Sequence, residues 1–439
     1  MSNYIEKVVN SKIRNIETLE SNYEVGHVRK VKEYILEVSG METVGFYERV
    51  TVADHSVGYV TAIGSNSVTV AILQQNGPIY VGDEVVSTGY SFAAMYSNQC
   101  VGHMINIFGE DLMLNERFEN LHPIPVETDP IPIMERGTVN RPFYTGIAGI
   151  DLIYPIGFGQ RQLIIGDKKT GKTQIALDTI VNQKDKNVLC IYVAINKPKK
   201  MVKEVYNELM AKGAMRYTII MATFLDDMAP VSFFTPYAAL SIAELYMRKG
   251  VDVLVVIDDL KAHADCHREI SLLAGKVPGR DAYPPDIFYT HSRMLEKGCQ
   301  HKDGGSITIL PIVTTKGGVI TDFISTNIIS ITDGQLVLSK KFFEAGQKPA
   351  INYGLSVSRL GGAVQDKEMK KLGAKVRQEF LSYLETKEVY QLANMEEMSQ
   401  EMRQRFKEGR KLEERLMQYK YSPRTREEIL EMFKEAVGE

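Results

Sequence analysis

No run of about 18 apolar residues occurs in the 439-residue chain, and its start, MSNYIEKVVN, carries no continuous apolar segment of the signal-peptide kind. The expectation is a protein that does not span a membrane, so that any link to one runs through partners. Cysteine is scarce: Cys100, Cys190, Cys266 and Cys299 are widely scattered, which fits reduced thiols in a cytosolic protein better than a disulfide framework. An excess of positive charge is also missing. The formal net charge is −3, which provides no global basic footprint for nucleic acid. What is present is ordinary for a globular protein, with 44% hydrophobic and 24% charged residues. Single cores stop growing at about 250 to 300 residues, so the length predicts two or three domains.

The texture changes along the chain in a definite order. Residues 1–23 place Ile5, Val8, Val9, Ile13 and Ile16 at near-helical spacing and predict a short amphipathic helix. Residues 24–91 break into short β-rich runs cut by glycine, such as VGYVTAIGSNSVTVAILQQNGPIYVGDEV, and predict a small antiparallel β-barrel. Residues 92–364 alternate apolar strands with helical stretches, the signature of an α/β domain. Residues 365–439 are charged, glycine-poor and helical. Their signs alternate, as in Glu401, Arg403, Arg405, Lys407 and Glu408, which reads as solvated helix faces rather than a tail for nucleic acid or membrane.

The most specific motif is GDKKTGKT, residues 166–173, which satisfies G-x-x-x-x-G-K-[ST]. It follows the apolar run Gln162–Ile165 and precedes a helical pattern from Gln174 to Ile180, the strand, loop and helix order the motif needs. A chance glycine-rich turn is the alternative. Gly166 and Gly171 would let the backbone amides of Asp167, Lys168, Lys169 and Thr170 converge on phosphate oxygens, with the helix dipole adding to them. Lys172 supplies a point charge at the outer phosphates, and Thr173 a hydroxyl for magnesium. Downstream, VDVLVVIDDL (251–260) is an apolar strand ending in two acids. Asp258 is the candidate to hold a nucleotide-bound magnesium through water, with an ordinary strand and capping pair as the alternative; Asp259 is a possible helix cap. Another pattern, HADCH (263–267), sets His263 and His267 at i and i+4 around Cys266, a spacing open to metal ligation. No second ligand pair accompanies it, and two surface or interface histidines is the better reading.

Four stretches, RPFYTGIAGIDLIYPIGFGQRQLIIGDKKTGKTQIALDTIVNQ (141–183), VPGRDAYPPDIFYTHSRMLE (277–296), TNIISITDGQLVL (326–338) and PAINYGLSVSRLGGAVQ (349–365), resemble the alpha subunit of rotary F-type ATP synthases, over nearly the whole chain and in the same order. The resemblance implies an N-terminal β-barrel, a central RecA-like P-loop domain and a C-terminal helical domain. It also implies ATP or ADP with magnesium as ligand, and a hexameric ring alternating with catalytic beta-like subunits around a rotor stalk, at the cytoplasmic face and peripheral to the membrane. In that family the alpha subunit holds nucleotide without turning it over. Hydrolysis needs a group that orients the attacking water, usually a carboxylate. In catalytic relatives it follows the strand after the phosphate-loop helix, where this chain reads VAINKPKK (193–200), with Lys197 at the position of the glutamate and no acid between Asp185 and Glu204. An acid reaching in from elsewhere is the alternative. Arg359 matches the arginine that enters the neighbouring beta site, although alone it would equally suit a structural ion pair. Lys348, Pro349 and Gln418 match positions around the adenine; Ser330 also falls in a matching segment, with packing as its other role.

The sequence departs from the family in several places. It is several tens of residues shorter than typical alpha subunits, with most of the difference aligned after Glu439, as in a specialised paralogue. Thr314 and Val319 replace two acidic positions, Gly275 and Lys276 a basic pair, and Lys348 and Lys420 a usual arginine and glutamine. Two other classes stay open on sequence alone. One is a self-sufficient homohexameric ATPase of the export type, against which Lys197 counts. The other is a Rho-like RNA translocase, against which the absence of an aromatic-basic cluster in residues 24–91 counts.

Overall fold

In the computed structural model, residues 23–390 and 400–438 are described. The amphipathic helix expected over residues 1–23 lies outside them, apart from Tyr23. Six strands, β1 (Val25–Lys32), β2 (Ile35–Ser39), β3 (Glu48–Val52), β4 (Ser56–Ile63), β5 (Val68–Gln74) and β6 (Glu84–Ser91), close into an antiparallel barrel in the order β1-β2-β5-β4-β3-β6. Alternation along the strands sends Val50, Val52, Val60, Val70 and Val85 into a dry interior. Closure leaves the barrel no unpaired edge.

The central sheet is built from β7 (Met104–Ile105), β8 (Leu163–Asp167), β9 (Val188–Lys197), β10 (Thr218–Phe224), β11 (Asp252–Asp258), β12 (Gly304–Thr315), β13 (Gly334–Leu338) and β14 (Val357–Ser358). Their order across the sheet is β7-β10-β9-β11-β12-β8-β13-β14, all neighbours parallel except the last pair. The mostly apolar character of β9 to β12 follows from burial on both faces. Covering helices include α1 (Lys172–Val181), α2 (Lys199–Ala211), α3 (Ala229–Met247), α4 (Leu260–Leu273) and α5 (Phe323–Ile331). Helix α3 is apolar all round and almost wholly buried, because it lies between sheet and barrel: Phe234 packs edge-on against Tyr59 of β4, ring centroids 4.6 Å apart.

Helices α6 (Lys367–Tyr390), α7 (Gln400–Leu416) and α8 (Arg426–Val437) form the C-terminal part, packed through Val376, Phe380, Leu412 and Phe433. Helix α8 starts on a capping box between Thr425 and Glu428. All four cysteines are buried, and burial pushes the Cys266 thiol up to about 12. Among the described residues no helix is long and apolar enough to cross a membrane.

Candidate functional site

Strand β8 feeds its loop into α1, whose next strand β9 lies on the far side of β11 and β12. The chain therefore leaves a gap at the carboxyl ends of the strands, where open α/β sheets bind ligands. Two glycines shape the loop there. A Cβ at Gly166 would lie 2.6 Å from the carbonyl oxygen of Leu338, and Gly171 takes φ +95° as it starts α1. Lys168 and Lys169 are exposed on the loop, whereas Thr170 is buried, donating its hydroxyl to the carbonyl of Asp167 at 2.9 Å. The Asp167 carboxylate turns toward β12, accepting from the Thr315 hydroxyl at 2.6 Å and the Gly318 amide at 2.8 Å.

Lys172 is buried and folds back on the loop, its Nζ donating to the Gly166 carbonyl at 2.8 Å. Burial pulls its ammonium down to about 8, against the attraction of Asp258 and Asp259. The Thr173 hydroxyl donates to Oδ2 of Asp258 at 2.8 Å, and so does the Tyr192 hydroxyl at the same distance. On Oδ1 of Asp258 sits Nζ of Lys197, at 2.7 Å, and the same ammonium is 3.9 Å from Oδ2 of Asp259. Burial works against charge on Asp258, but Lys197 and the hydroxyl donors outweigh it and hold the carboxyl below its ordinary range. Lys197 is the mirror case: burial would lower it, and the two aspartates raise it. The pair is therefore a fixed carboxylate and a fixed ammonium.

Asp258 and Asp259 divide the two roles considered for them. Asp259 caps α4 by accepting from the Ala262 amide at 2.7 Å, and it also takes the hydroxyl of Thr314 at 2.7 Å. Tyr192 and Lys197 reach one carboxylate although they lie five positions apart along β9, an odd spacing that ordinarily sends side chains to opposite faces. The pairing of β9 with β10 slips between Ala194 and Lys197, and Asn196 takes φ +52° there, which re-aims Lys197. Neither Tyr192 nor this slip was foreseen from sequence; the isoleucine, asparagine, lysine, proline run at 195–198 was the available signal for an irregular strand end.

By donor type, the Thr173 hydroxyl and the Asp258 carboxylate suit magnesium, an oxygen-seeking cation. By charge, that carboxylate is already paired with Lys197. Lys348, Pro349 and Gln418 come together on the same side of the sheet: Ile351 bridges to Leu338, whose backbone lies beside Gly166, and the Gln418 amide donates to the Lys348 carbonyl at 2.7 Å. The Gln418 side chain accepts from the Ala148 amide at 3.0 Å and donates to the carbonyls of Gly146 and Ser422, each at 2.7 Å. It thus also braces the loop ahead of the site. Ser330 is exposed and bonds back to the Thr326 carbonyl at 2.9 Å, so it has no packing role.

Arg359 lies elsewhere. Ser358 pairs with Gly334, and the Arg359 amide donates to the Asp333 carbonyl at 2.9 Å, at the end of β13 away from Gly166. From Asp333 to Leu338 the strand rises roughly 17 Å, at about 3.3 Å per residue. Its exposed guanidinium donates to the Ile329 carbonyl at 3.2 Å.

The histidines of HADCH correct the surface reading. His263 and His267 are both buried on α4. His263 lies 3.1 Å from the Phe233 carbonyl and 3.3 Å from His291, and His267 lies 3.0 Å from Asp286. The stripe His263, Cys266, His267, Ile270 has the spacing of one apolar helix face, which was the sequence signal for burial.

Residues 146–358 match the model of the ATP synthase alpha/beta family, nucleotide-binding domain. The chain is 39% identical over 422 residues to the ATP synthase subunit alpha of Clostridium acetobutylicum, covering 95% of this chain and 83% of that relative. It is 43% identical over 384 residues to the subunit of the same name from Caldanaerobacter subterraneus subsp. tengcongensis, covering 87% and 76%. The corresponding protein of Macrococcus caseolyticus is 41% identical over 384 residues, again covering 87% and 76%.

Proposed function

We propose, since this chain belongs to the ATP synthase alpha/beta family and within it to the alpha subunits, that it is the non-catalytic nucleotide-binding subunit of a hexameric F-type ring and supplies Arg359 to a catalytic beta-like neighbour. The observation that carries this reading is the ion pair of Lys197 with Asp258. A bound nucleotide's terminal phosphate would meet an ammonium where turnover needs a group able to orient water and accept its proton. Asp259, the nearest other acid, already holds the start of α4 and the Thr314 hydroxyl.

The ligand is ATP or ADP. The loop amides from Asp167 to Thr170 and the ammonium of Lys172 hold its phosphates, and Lys348, Pro349 and Gln418 flank its base. A magnesium ion, when bound, would use the Thr173 hydroxyl and water held by Asp258, and would supply positive charge to the outer phosphates. Arg359 is too far along β13 to serve this chain's own loop, and its exposure leaves the planar guanidinium free to meet charge on a transferring phosphoryl group next door. The ring surrounds a rotor stalk and reaches the membrane only through its partners. The purified chain is expected to bind ATP and show no multiple turnover in phosphate-release kinetics. Turnover near or above about 1 per second, ordinary for enzymes, overturns the reading and favours a self-sufficient ATPase.

A further inference from the structure

The surroundings of Asp258 carry a consequence for the ligand itself, one that rests on the nucleotide-binding reading. Both oxygens of this carboxylate are occupied by the chain: Oδ1 by Lys197 at 2.7 Å, Oδ2 by the hydroxyls of Thr173 and Tyr192, each at 2.8 Å. Charge points the same way. Two buried acids, Asp258 and Asp259, face two lysine side chains, Lys172 and Lys197, so the chain itself already supplies partners for the acids. A divalent cation gains most where carboxylates are left unbalanced, and magnesium dehydrates reluctantly. Here it would have to settle beside a fixed cation. Lys168 and Lys169, exposed on the loop, add two more positive groups to the motif.

We infer that Lys197 takes over the electrostatic role of the divalent cation, so that this site binds metal-free nucleoside di- and triphosphates, and magnesium adds little to their affinity. The bulged end of β9 fixes the ammonium against Asp258, the acid that also takes the Thr173 hydroxyl at the end of the phosphate-loop motif. From there it would face the outer phosphates together with Lys172. A cation delivered by the backbone needs no recruitment from solution, and the bound state would be indifferent to the free magnesium level.

The test is equilibrium binding of ATP and ADP to the full-length chain by calorimetry, once in excess magnesium and once in EDTA. The wild-type affinities are expected to agree within about threefold, well under the tenfold that corresponds to 1.4 kcal/mol. Lys197→Gln removes the charge and keeps a polar side chain. Its affinity in EDTA is expected to fall at least about tenfold while its affinity in magnesium changes by less than about threefold, so that a metal requirement emerges. Lys197→Arg, which keeps a fixed cation, is expected to stay metal-independent. Wild-type binding in magnesium that weakens about tenfold or more in EDTA overturns the inference, and the wild-type arms decide this whether or not either variant folds. A folded Lys197→Gln protein that binds equally well in both conditions overturns the assignment to Lys197. Absence of binding in both conditions by the wild type rejects the nucleotide reading itself, a result distinct from either of these.

Discussion

Lys172 and Arg359 stand at opposite ends of the same sheet and differ in what the chain provides around them. At the loop end, Lys172, Thr173, Tyr192, Lys197, Asp258 and Asp259 bond to one another or to the loop, and the acids are balanced by ammonium groups. At the other end, among the described residues, the Arg359 guanidinium has a single carbonyl as hydrogen-bond partner and faces solvent. A cluster whose groups satisfy each other can hold a ligand within one chain. An exposed guanidinium finds its work only when another surface arrives. On the proposed reading, one chain would carry a closed site and an open half of a second one, and the two should fail in different ways.

The largest expected effect breaks the open half. In an assembled ring, Arg359→Lys keeps charge but loses the planar fork, and turnover should fall by about 10²- to 10⁴-fold, within the arginine-finger range. Steady-state hydrolysis measures this, with size-exclusion chromatography showing that the ring persists and nucleotide affinities staying within about tenfold. Unchanged turnover in an intact ring would reduce Arg359 to a structural residue. Next comes Lys172→Ala, which acts on the closed site alone. Nucleotide affinity of the isolated chain should drop by at least about 100-fold. First-cycle turnover of the ring should suffer far less than after loss of the equivalent lysine in the catalytic neighbour; equal losses would erase the distinction between the two ends.

The closed site's internal balance is probed by Lys197→Met, which removes the ammonium bonded to Asp258 and leaves Lys172 to face both acids. Breaking a buried pair costs about 3 to 5 kcal/mol, and since the Lys197 side chain is 20% exposed, a loss of about 2 to 3 kcal/mol is expected in urea denaturation. A change below about 0.5 kcal/mol, the range of an ordinary surface substitution, would mean the pair contributes little. The smallest effect belongs to Gln418→Ala. It removes three hydrogen bonds to backbone and should cost about 1 to 3 kcal/mol, with faster amide exchange at Ala148. Unaltered exchange there would show that the brace is not needed.

What could be read from sequence follows from how local the physics is. The phosphate loop is legible because its chemistry lies within eight consecutive residues, and the barrel because alternation and glycine breaks repeat along each strand. The absence of an acid near Lys197 was equally plain. The partner of Lys197 was not, because the contact crosses between strands 61 residues apart and depends on a slip in β9 that reverses the expected facing. The distance of Arg359 from the loop is likewise a property of strand order. HADCH is deceptive for a different reason: its polar residue types suggest solvent, while their helical spacing with Ile270 points to the interior.

The burial of Cys100, Cys190, Cys266 and Cys299 makes the native chain nearly silent toward thiol reagents, since a thiol enclosed in apolar surroundings gives up its proton reluctantly. The chain is in effect a blank background for site-selective labelling. A lone cysteine introduced by Leu355→Cys, at a half-exposed position four residues before Arg359, would carry an environment-sensitive dye without competition from the native thiols. If a neighbour docks against that edge as proposed, its arrival would then be read as a change in emission.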